Sequence, residues 1–267
     1  LNILREEHLM NKDLILQCSL FSHFDNNMYF PEYVLEKALM CKRVGVSVIH
    51  VHLNKFKTID DFLKLAHLLE VNDGPLLNIS ANDVITAIEC GASGYKSIAC
   101  AAMQGGSATI FGNTINQTIQ KANEEIERLL QNGIIPEISV FNFESIGNCI
   151  ELYNKYGKQF YVGVYMGYPG GMVASISNVE SIMDSLNMIP VISFTIYNNQ
   201  DDELIKHIVE IGGHLRSGLE DSLYCGNCVA IDSIDIMMHY NRIIAESGTR
   251  RVELFDKESL KDYLRWS

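Results

Sequence analysis

The stretch VSVIHVHLNKFKTIDDFLKLAHLLE, residues 46–70, contains one complete strand–helix unit and predicts the fold. Its first part, VSVIHVH (46–52), is mostly apolar on both faces, which is typical of a buried strand. Its last part, IDDFLKLAHLLE (59–70), has the apolar spacing of an amphipathic helix. A buried strand that is followed by a helix indicates a parallel sheet.

The same unit recurs along the chain. Predicted strands cover residues 14–20, 46–52, 75–80, 95–101, 135–141, 159–166, 190–197 and 213–220. Predicted helices cover residues 31–44, 59–70, 114–132, 144–156, 179–186, 201–211, 233–246 and 256–264. About eight such units predict an α/β fold of the (β/α)8 TIM-barrel type, with eight parallel strands closed into a barrel. A doubly wound open sheet is the alternative, but no G-x-G-x-x-G follows the first strand. We expect residues 1–267 to form a single barrel domain, with residues 1–13 as a candidate N-terminal extension.

Composition narrows the class of protein. Apolar residues make up 47% of the chain and charged residues 20%, which favours a globular protein with a sizeable core. The net charge of −12, without a Lys/Arg run, argues against nucleic acid and membrane partners. No apolar run reaches the roughly 18–20 residues of a membrane span. Seven scattered cysteines favour the reducing cytoplasm.

Two histidines end the second predicted strand. His50 and His52 are two residues apart, so their side chains point to the same face. The carboxyl end of a barrel strand faces the active site, and two imidazoles there can chelate one Zn²⁺. The alternative is a pair of histidines that only form hydrogen bonds with their neighbours. Two imidazoles and a carboxylate also suit Mn²⁺, Co²⁺ or Fe²⁺.

A third ligand is available in GGHLRSGLED (212–221), at the end of the last strand. Arg216 and Glu220 share one parity and can both point inward, so Glu220 is the candidate metal ligand. Asp221 has the opposite parity and reaches the site only if the chain turns out of the strand. A surface ion pair of Arg216 and Glu220 is the alternative.

Further polar residues stand in or beside apolar strands. Glu137 lies near the start of the fifth strand, where a buried carboxylate must be paired or protonated. It is either a partner of Arg216 or part of a structural ion pair. Ser80 ends the third strand and is either a site residue or a helix cap. CGNC (225–228) is interpreted as two loop thiols, because no second pair completes a Cys₄ site.

The motifs HVH, PEISVF, GYPGGM and GGHLRSGLEDSLY, in this order, resemble those of the β-keto acid cleavage enzymes, from about residue 14 to the C-terminus. The resemblance implies a zinc-binding (β/α)8 barrel, a homotetramer, with a role in amino-acid catabolism. Its substrates would be a β-keto acid and acetyl-CoA, and its products acetoacetate and a new acyl-CoA.

The resemblance also implies roles for individual residues. These are His50, His52 and Glu220 as zinc ligands, Asp221 as the base, Arg216 as the group that positions reacting oxygens, and Ser80 and Glu137 as further active-site residues. Ser97 matches the family's hydroxyl on the fourth strand. Asp25 stands beside Phe24, where members that act on amino-keto acids hold the ammonium with a carboxylate.

The chain also departs from the family pattern. Asn54 replaces a usual arginine, and FSHFDNN (21–27) replaces a Gly-rich turn with an acidic residue. These departures leave two alternatives open. One is a zinc-dependent carbon–carbon lyase that does not use CoA, and the other is a non-catalytic barrel that binds a metabolite.

Overall fold

The barrel is closed by eight parallel strands, each paired with its neighbour along the sequence and the last paired with the first. A computed structural model describes residues 13–22, 26–80, 83–92 and 94–266. The strands are β1 Leu16–Ser19, β2 Val48–Val51, β3 Leu76–Ile79, β4 Ile98–Gln104, β5 Ile135–Val140, β6 Tyr161–Met166, β7 Ile192–Ile196 and β8 His214–Gly218. This architecture confirms the predicted (β/α)8 barrel.

Helices follow the strands and surround the barrel. They are α1 Pro31–Arg43, α2 Ile59–Val71, α3 Val84–Ala92, α4 Ile119–Gln131, α5 Phe143–Tyr156, α6 Ile176–Ser185, α7 Asp202–Glu210, α8 Ser233–Ser247 and α9 Lys257–Trp266. Local side chains set several of their starts: Thr58 and Asp61 form a capping box on α2, and Asn142 accepts from the backbone N–H of Ser145 on α5. Within the described residues, none of these helices is both long and apolar enough to span a membrane.

Several elements differ from those predicted. Helix α3 was not predicted, because the sequence VITAIECGA is rich in β-branched residues; packing of its buried Val84, Ala87 and Cys90 on the core stabilises it. Helix α4 begins at Ile119 rather than 114, since residues 113–115 pair with residues 108–110 in a short antiparallel ribbon. Strand β4 runs from Ile98 rather than 95.

The barrel interior changes in character from one end to the other. At the amino end, a small apolar cluster that includes Val48 and Leu76 packs under Leu260 and Leu264 of α9. Towards the carboxyl end the buried side chains become polar, and Arg216 pairs in register with Gln17 on the neighbouring strand. Helix α9 therefore covers one end of the barrel, and the polar chemistry is concentrated towards the other.

Candidate metal centre and active site

Three predicted metal ligands meet at the carboxyl mouth of the barrel. His50 lies in β2, His52 directly follows it, and Glu220 follows β8. The Nε2 atoms of the two histidines are 3.3 Å apart, and Glu220 Oε1 is 2.9 Å from His52 Nε2. Glu220 Oε2 is 3.7 Å from His50 Nε2. In the part of the chain that the structure describes, these three residues are the one His/Cys/Asp/Glu group whose ligand atoms lie close enough for a shared ion.

The donor set fits a divalent metal. Ligands that surround a tetrahedral Zn²⁺ at about 2.0–2.2 Å lie roughly 3.3 Å from one another. The observed separations of 2.9–3.7 Å bracket that value. Burial, followed by the positive charge of Arg216, lowers the pKa of His50 to about 3, which keeps the imidazole neutral as a metal ligand must be. The cluster could therefore hold a metal ion.

The turn after β8 brings both acidic residues into the mouth. Strand β8 ends at Gly218, whose φ of 144° is the region that favours glycine. A Cβ at this position would lie 2.0 Å from the carbonyl oxygen of Ser19 on β1. Because the chain leaves the strand here, Glu220 and Asp221 both point inward. Asp221, by its strand parity in the sequence, requires such a turn to reach the site.

Asp221 is buried and anchored by several donors. Ser19 Oγ donates to Oδ2 at 2.6 Å, and Tyr168 OH donates to Oδ1 at 2.8 Å. Arg216 donates through Nε to Oδ2 at 3.2 Å and through Nη2 to Oδ1 at 3.4 Å. Burial raises the pKa of Asp221; Arg216 opposes this effect and Glu220 adds to it.

Arg216 contacts both acidic residues, so the alternative of a surface pair is wrong. Its guanidinium is almost fully buried, and Nη2 lies 3.4 Å from Glu220 Oε2. Its Nη1 donates to Tyr165 OH at 2.7 Å. These contacts with Tyr165, Glu220 and Asp221 fix the orientation of the buried guanidinium.

Glu137 lies deeper, in the centre of the barrel. Its Oε2 accepts from Gln17, Asn78 and Tyr161, and its Oε1 accepts from Tyr165 OH at 2.8 Å. Within the described residues no cation contacts this carboxylate directly, so the predicted structural ion pair is wrong. Tyr165 links it to Arg216 instead. Neutral donors satisfy the buried carboxyl oxygens.

The structure does not bring all the predicted residues together. The Ser80 hydroxyl is turned to Asp83 Oδ2 at 2.7 Å, beside the start of α3. Ser97 precedes β4 at the amino end of the barrel, donates to the carbonyl of Ala66 at 2.9 Å, and lines a cleft of about 760 Å³ with Lys257. The placement of Ser97 in the mouth is therefore corrected. The fourth strand begins one residue later, at Ile98. Asp25 lies outside the described residues.

Several residues of the site were not singled out by the sequence. These are Gln17, Ser19, Asn78, Tyr161, Tyr165 and Tyr168. All but Tyr168 stand in strands that are otherwise apolar, at positions that alternate with buried core residues. That alternation was the signal that could have found them.

The CGNC segment forms a tight hairpin beyond the site. Cys225 and Cys228 are paired partners on a two-residue antiparallel ribbon, with both thiols free. Cys228 is exposed. Neither belongs to the group that could share an ion, which agrees with their interpretation as loop thiols.

Comparisons with known proteins place this geometry in a family. A family model for beta-keto acid cleavage enzymes matches residues 29–254. The 3-keto-5-aminohexanoate cleavage enzyme of Acetoanaerobium sticklandii is 23% identical over 218 residues, which cover 76% of this chain and 78% of that protein.

Solved structures share the fold. ObcA in a ternary complex with a C4-CoA adduct and oxalate has a TM-score of 0.64 at 15% identity, covering 88% of this chain and 66% of that chain. This chain thus spans slightly less than two thirds of ObcA. N-acetylneuraminate lyase from Fusobacterium nucleatum has a TM-score of 0.55 at 11% identity, covering 96% and 79% of the two chains. The family match covers most of the sequence, and the chain belongs to the β-keto acid cleavage enzyme family.

Proposed function

We propose that this protein is a zinc-dependent enzyme that condenses a β-keto acid with acetyl-CoA and yields acetoacetate and a new acyl-CoA. The observation that carries the proposal is the convergence of His50, His52 and Glu220 beside Arg216 and Asp221. Family membership supports the cleavage of β-keto acids. The CoA adduct bound to ObcA supports CoA as the acyl carrier.

The metal would be held by one nitrogen of each histidine and by the Glu220 carboxylate. His50 would use Nε2, because its Nδ1 lies 2.9 Å from Asn78 Oδ1. Two histidines and one glutamate leave a coordination position for substrate. Zn²⁺ bound there supplies Lewis acidity to the oxygen atoms of the substrate.

Asp221 would act as the base. It would take a proton from the carbon between the two carbonyl groups of the β-keto acid, and that carbon would attack the acetyl-CoA thioester and release CoA thiolate. The thiolate would then attack the original keto carbon. The carbon–carbon bond breaks, the acyl group leaves on CoA, and Asp221 returns its proton to the acetoacetate carbon.

Arg216 would orient the reacting oxygens. Its contacts with Tyr165, Glu220 and Asp221 fix the plane of the guanidinium before substrate arrives. A donor that is already fixed requires little reorganisation during the reaction.

The first test is metal content. Elemental mass spectrometry on wild-type protein and on His50→Ala/His52→Ala should find near-stoichiometric zinc in the first and none in the second. Wild-type protein that neither contains zinc nor takes it up when offered would contradict the mechanism. A panel of β-keto acids with acetyl-CoA then identifies the substrate.

The second candidate is a zinc-dependent lyase that does not use CoA. It is favoured by Asn54, an exposed neutral side chain where the resemblance implies an arginine. Turnover of a β-keto acid without acetyl-CoA, at a rate unchanged by its addition, would establish this reaction instead.

We also propose that the protein is a single barrel domain that works as a homo-oligomer in the cytoplasm. Its seven free cysteines support a reducing compartment, and the family resemblance supports a tetramer. Light scattering coupled to size exclusion would measure the mass of the assembly, and a monomer would contradict the proposal.

A further inference from the structure

Asn78 connects the candidate metal ligand His50 to the buried carboxylate of Glu137. It lies in β3, paired in register with His50 on β2, and its side chain is fully buried. Its Oδ1 is 2.9 Å from His50 Nδ1. Its Nδ2 is 2.7 Å from Glu137 Oε2 and 2.9 Å from Tyr161 OH. The one amide thus faces a ring nitrogen on one side and two oxygens on the other.

The orientation of this amide is determined by Glu137. A carboxylate oxygen only accepts, so the group that faces Glu137 at 2.7 Å must be the Asn78 NH₂. A flipped amide would place two acceptors against each other in a buried site, at a cost of roughly 1–3 kcal/mol for the unsatisfied groups. Tyr161 does not change this assignment, because it donates its own hydrogen to Glu137 Oε2 at 2.7 Å and therefore accepts from Asn78.

The orientation of Asn78 in turn determines which nitrogen of His50 carries the proton. With its NH₂ turned to Glu137, Asn78 presents only a carbonyl oxygen to His50 Nδ1. A neutral imidazole must then be protonated at Nδ1, which leaves the lone pair on Nε2. Nε2 is the atom that lies 3.3 Å from His52 Nε2 and 3.7 Å from Glu220 Oε2.

We propose that Asn78 is a positioning residue, held by Glu137, that keeps His50 in the Nδ1–H tautomer with Nε2 turned to the metal position. The identity of the ion rests on the proposed function, whereas the tautomer does not. Glu137 then acts through Asn78 and not on the substrate. Groups that orient metal-ligating histidines typically change metal affinity about 10–100-fold when they are removed.

The tautomer can be measured without any metal. Long-range ¹H–¹⁵N correlation spectra of metal-free protein with labelled histidine distinguish a protonated Nδ1 from a protonated Nε2. Loss of one signal in His50→Gln would assign the peak. We expect His50 as a single Nδ1–H species. A dominant Nε2–H species would overturn the proposal, whatever the protein does with zinc.

Zinc affinity provides the second test. Asn78→Leu removes the acceptor at nearly constant volume, and competition with a chromophoric chelator should show zinc binding about 10–100-fold weaker. Gln17→Met is the matched control, since it removes another donor to Glu137 without contacting His50. We expect its affinity within about threefold of wild type, although both variants lower the unfolding temperature.

The two variants separate the possible outcomes. Unchanged affinity in Asn78→Leu, or an equal loss in Gln17→Met, would mean that Asn78 is only a structural residue and would overturn the proposal. Wild-type protein that binds no zinc at all would instead contradict the metal centre itself. In that event the imidazole spectrum still decides the tautomer.

Discussion

Glu220 and Asp221 are adjacent in the sequence, yet their surroundings give them different protonation behaviour. Burial raises the pKa of both carboxyls. At Glu220 the hydrogen bond and charge of His52, together with the charge of Arg216, outweigh burial and lower the pKa, whereas at Asp221 burial outweighs Arg216 and the pKa is raised. A carboxylate that stays ionised suits a metal ligand, and one whose proton affinity is increased suits a base. The two residues therefore have the properties that the proposed reaction requires of them.

Asp221→Asn tests this division of roles. An amide of the same size cannot take the proton from the substrate, so kcat/KM should fall by about 10²–10⁴-fold. Zinc content and the circular dichroism spectrum should remain those of the wild type. Tyr168→Phe, which removes one donor to Asp221 but leaves the carboxylate, should cost less than the Asn variant. Equal activity of Asp221→Asn and wild type would show that another group is the base.

Local patterns in the sequence predicted the side chains that come from strand ends. The spacing of His50 and His52 placed both in the mouth, whereas Glu220 reaches it through the turn after Gly218 and not through strand parity. The network below them was not predictable in this way. Asn78 and Tyr165 act through partners that are distant in the sequence, and only the register of the strands brings them together. Ser97 was misplaced because the apolar pattern predicted a strand from residue 95, whereas β4 begins at Ile98 and Ser97 lies at its amino end.

At the scale of elements, the end of β8 is tightly constrained. Gly218 combines a positive φ with a backbone contact that leaves no room for a side chain. Strand lengths read from the sequence extended β8 to residue 220. Apolar patterns do not predict the backbone conformation that ends a strand. The sequence could therefore state only that Asp221 needs a turn here, and not that the turn exists.

Gly218→Ala should destabilise the fold by at least about 2 kcal/mol, because the new Cβ would be strained in φ and would contact the Ser19 carbonyl. Gly147→Ala is the matched control: Gly147 lies inside α5, and a Cβ added there would have no neighbouring atom within 4 Å. The free energy of unfolding of Gly147→Ala should rise by about 0.5–1 kcal/mol, since alanine is more favourable than glycine in a helix interior. Urea unfolding measures both, and effects of the same sign would contradict this account.

The CGNC hairpin differs from the other cysteine positions in its exposure. Burial raises the pKa of Cys90 to about 11 and that of Cys100 to about 12. Because the thiolate is the nucleophile, such thiols react slowly at neutral pH. We expect an aromatic disulfide reagent at about pH 8, near the ordinary pKa of a free thiol, to modify Cys228 first and Cys225 next in native protein. The five buried thiols should react only after denaturation. Early labelling of Cys18 or Cys149, found by peptide mass mapping, would contradict the buried positions.

For the whole molecule, the main feature is a polar barrel centre above an apolar amino end. The carboxylate of Glu137 is shared by donors from β1, β3 and β6. The order of the elements and the closed barrel were predictable because each strand–helix unit repeats the same pattern. The buried polar side chains inside the barrel were not predictable, since their contacts depend on which residues face one another across it.

A double-mutant cycle tests whether Glu137 and its hydrogen-bond donors stabilise the fold cooperatively. Glu137→Gln should destabilise the fold by about 2 kcal/mol or more, because its amide group would face donors. Combined with Tyr161→Phe, it should show a coupling energy of about 1–3 kcal/mol in urea unfolding. The control pair combines Glu137→Gln with Thr58→Ala. Thr58→Ala removes the α2 cap at a cost of about 1 kcal/mol and shares no partner with Glu137, so the two effects should add. Additive effects of Glu137→Gln and Tyr161→Phe would contradict the shared network.

The Glu137 network also constrains how this barrel can evolve. A lineage that replaces Glu137 with an apolar residue leaves the amides and hydroxyls around it unpaired, and one that first replaces a neighbour leaves the carboxylate short of a donor. Each single step therefore passes through a less stable protein. These positions should be inherited as a set, while the loops at the mouth remain free to diverge.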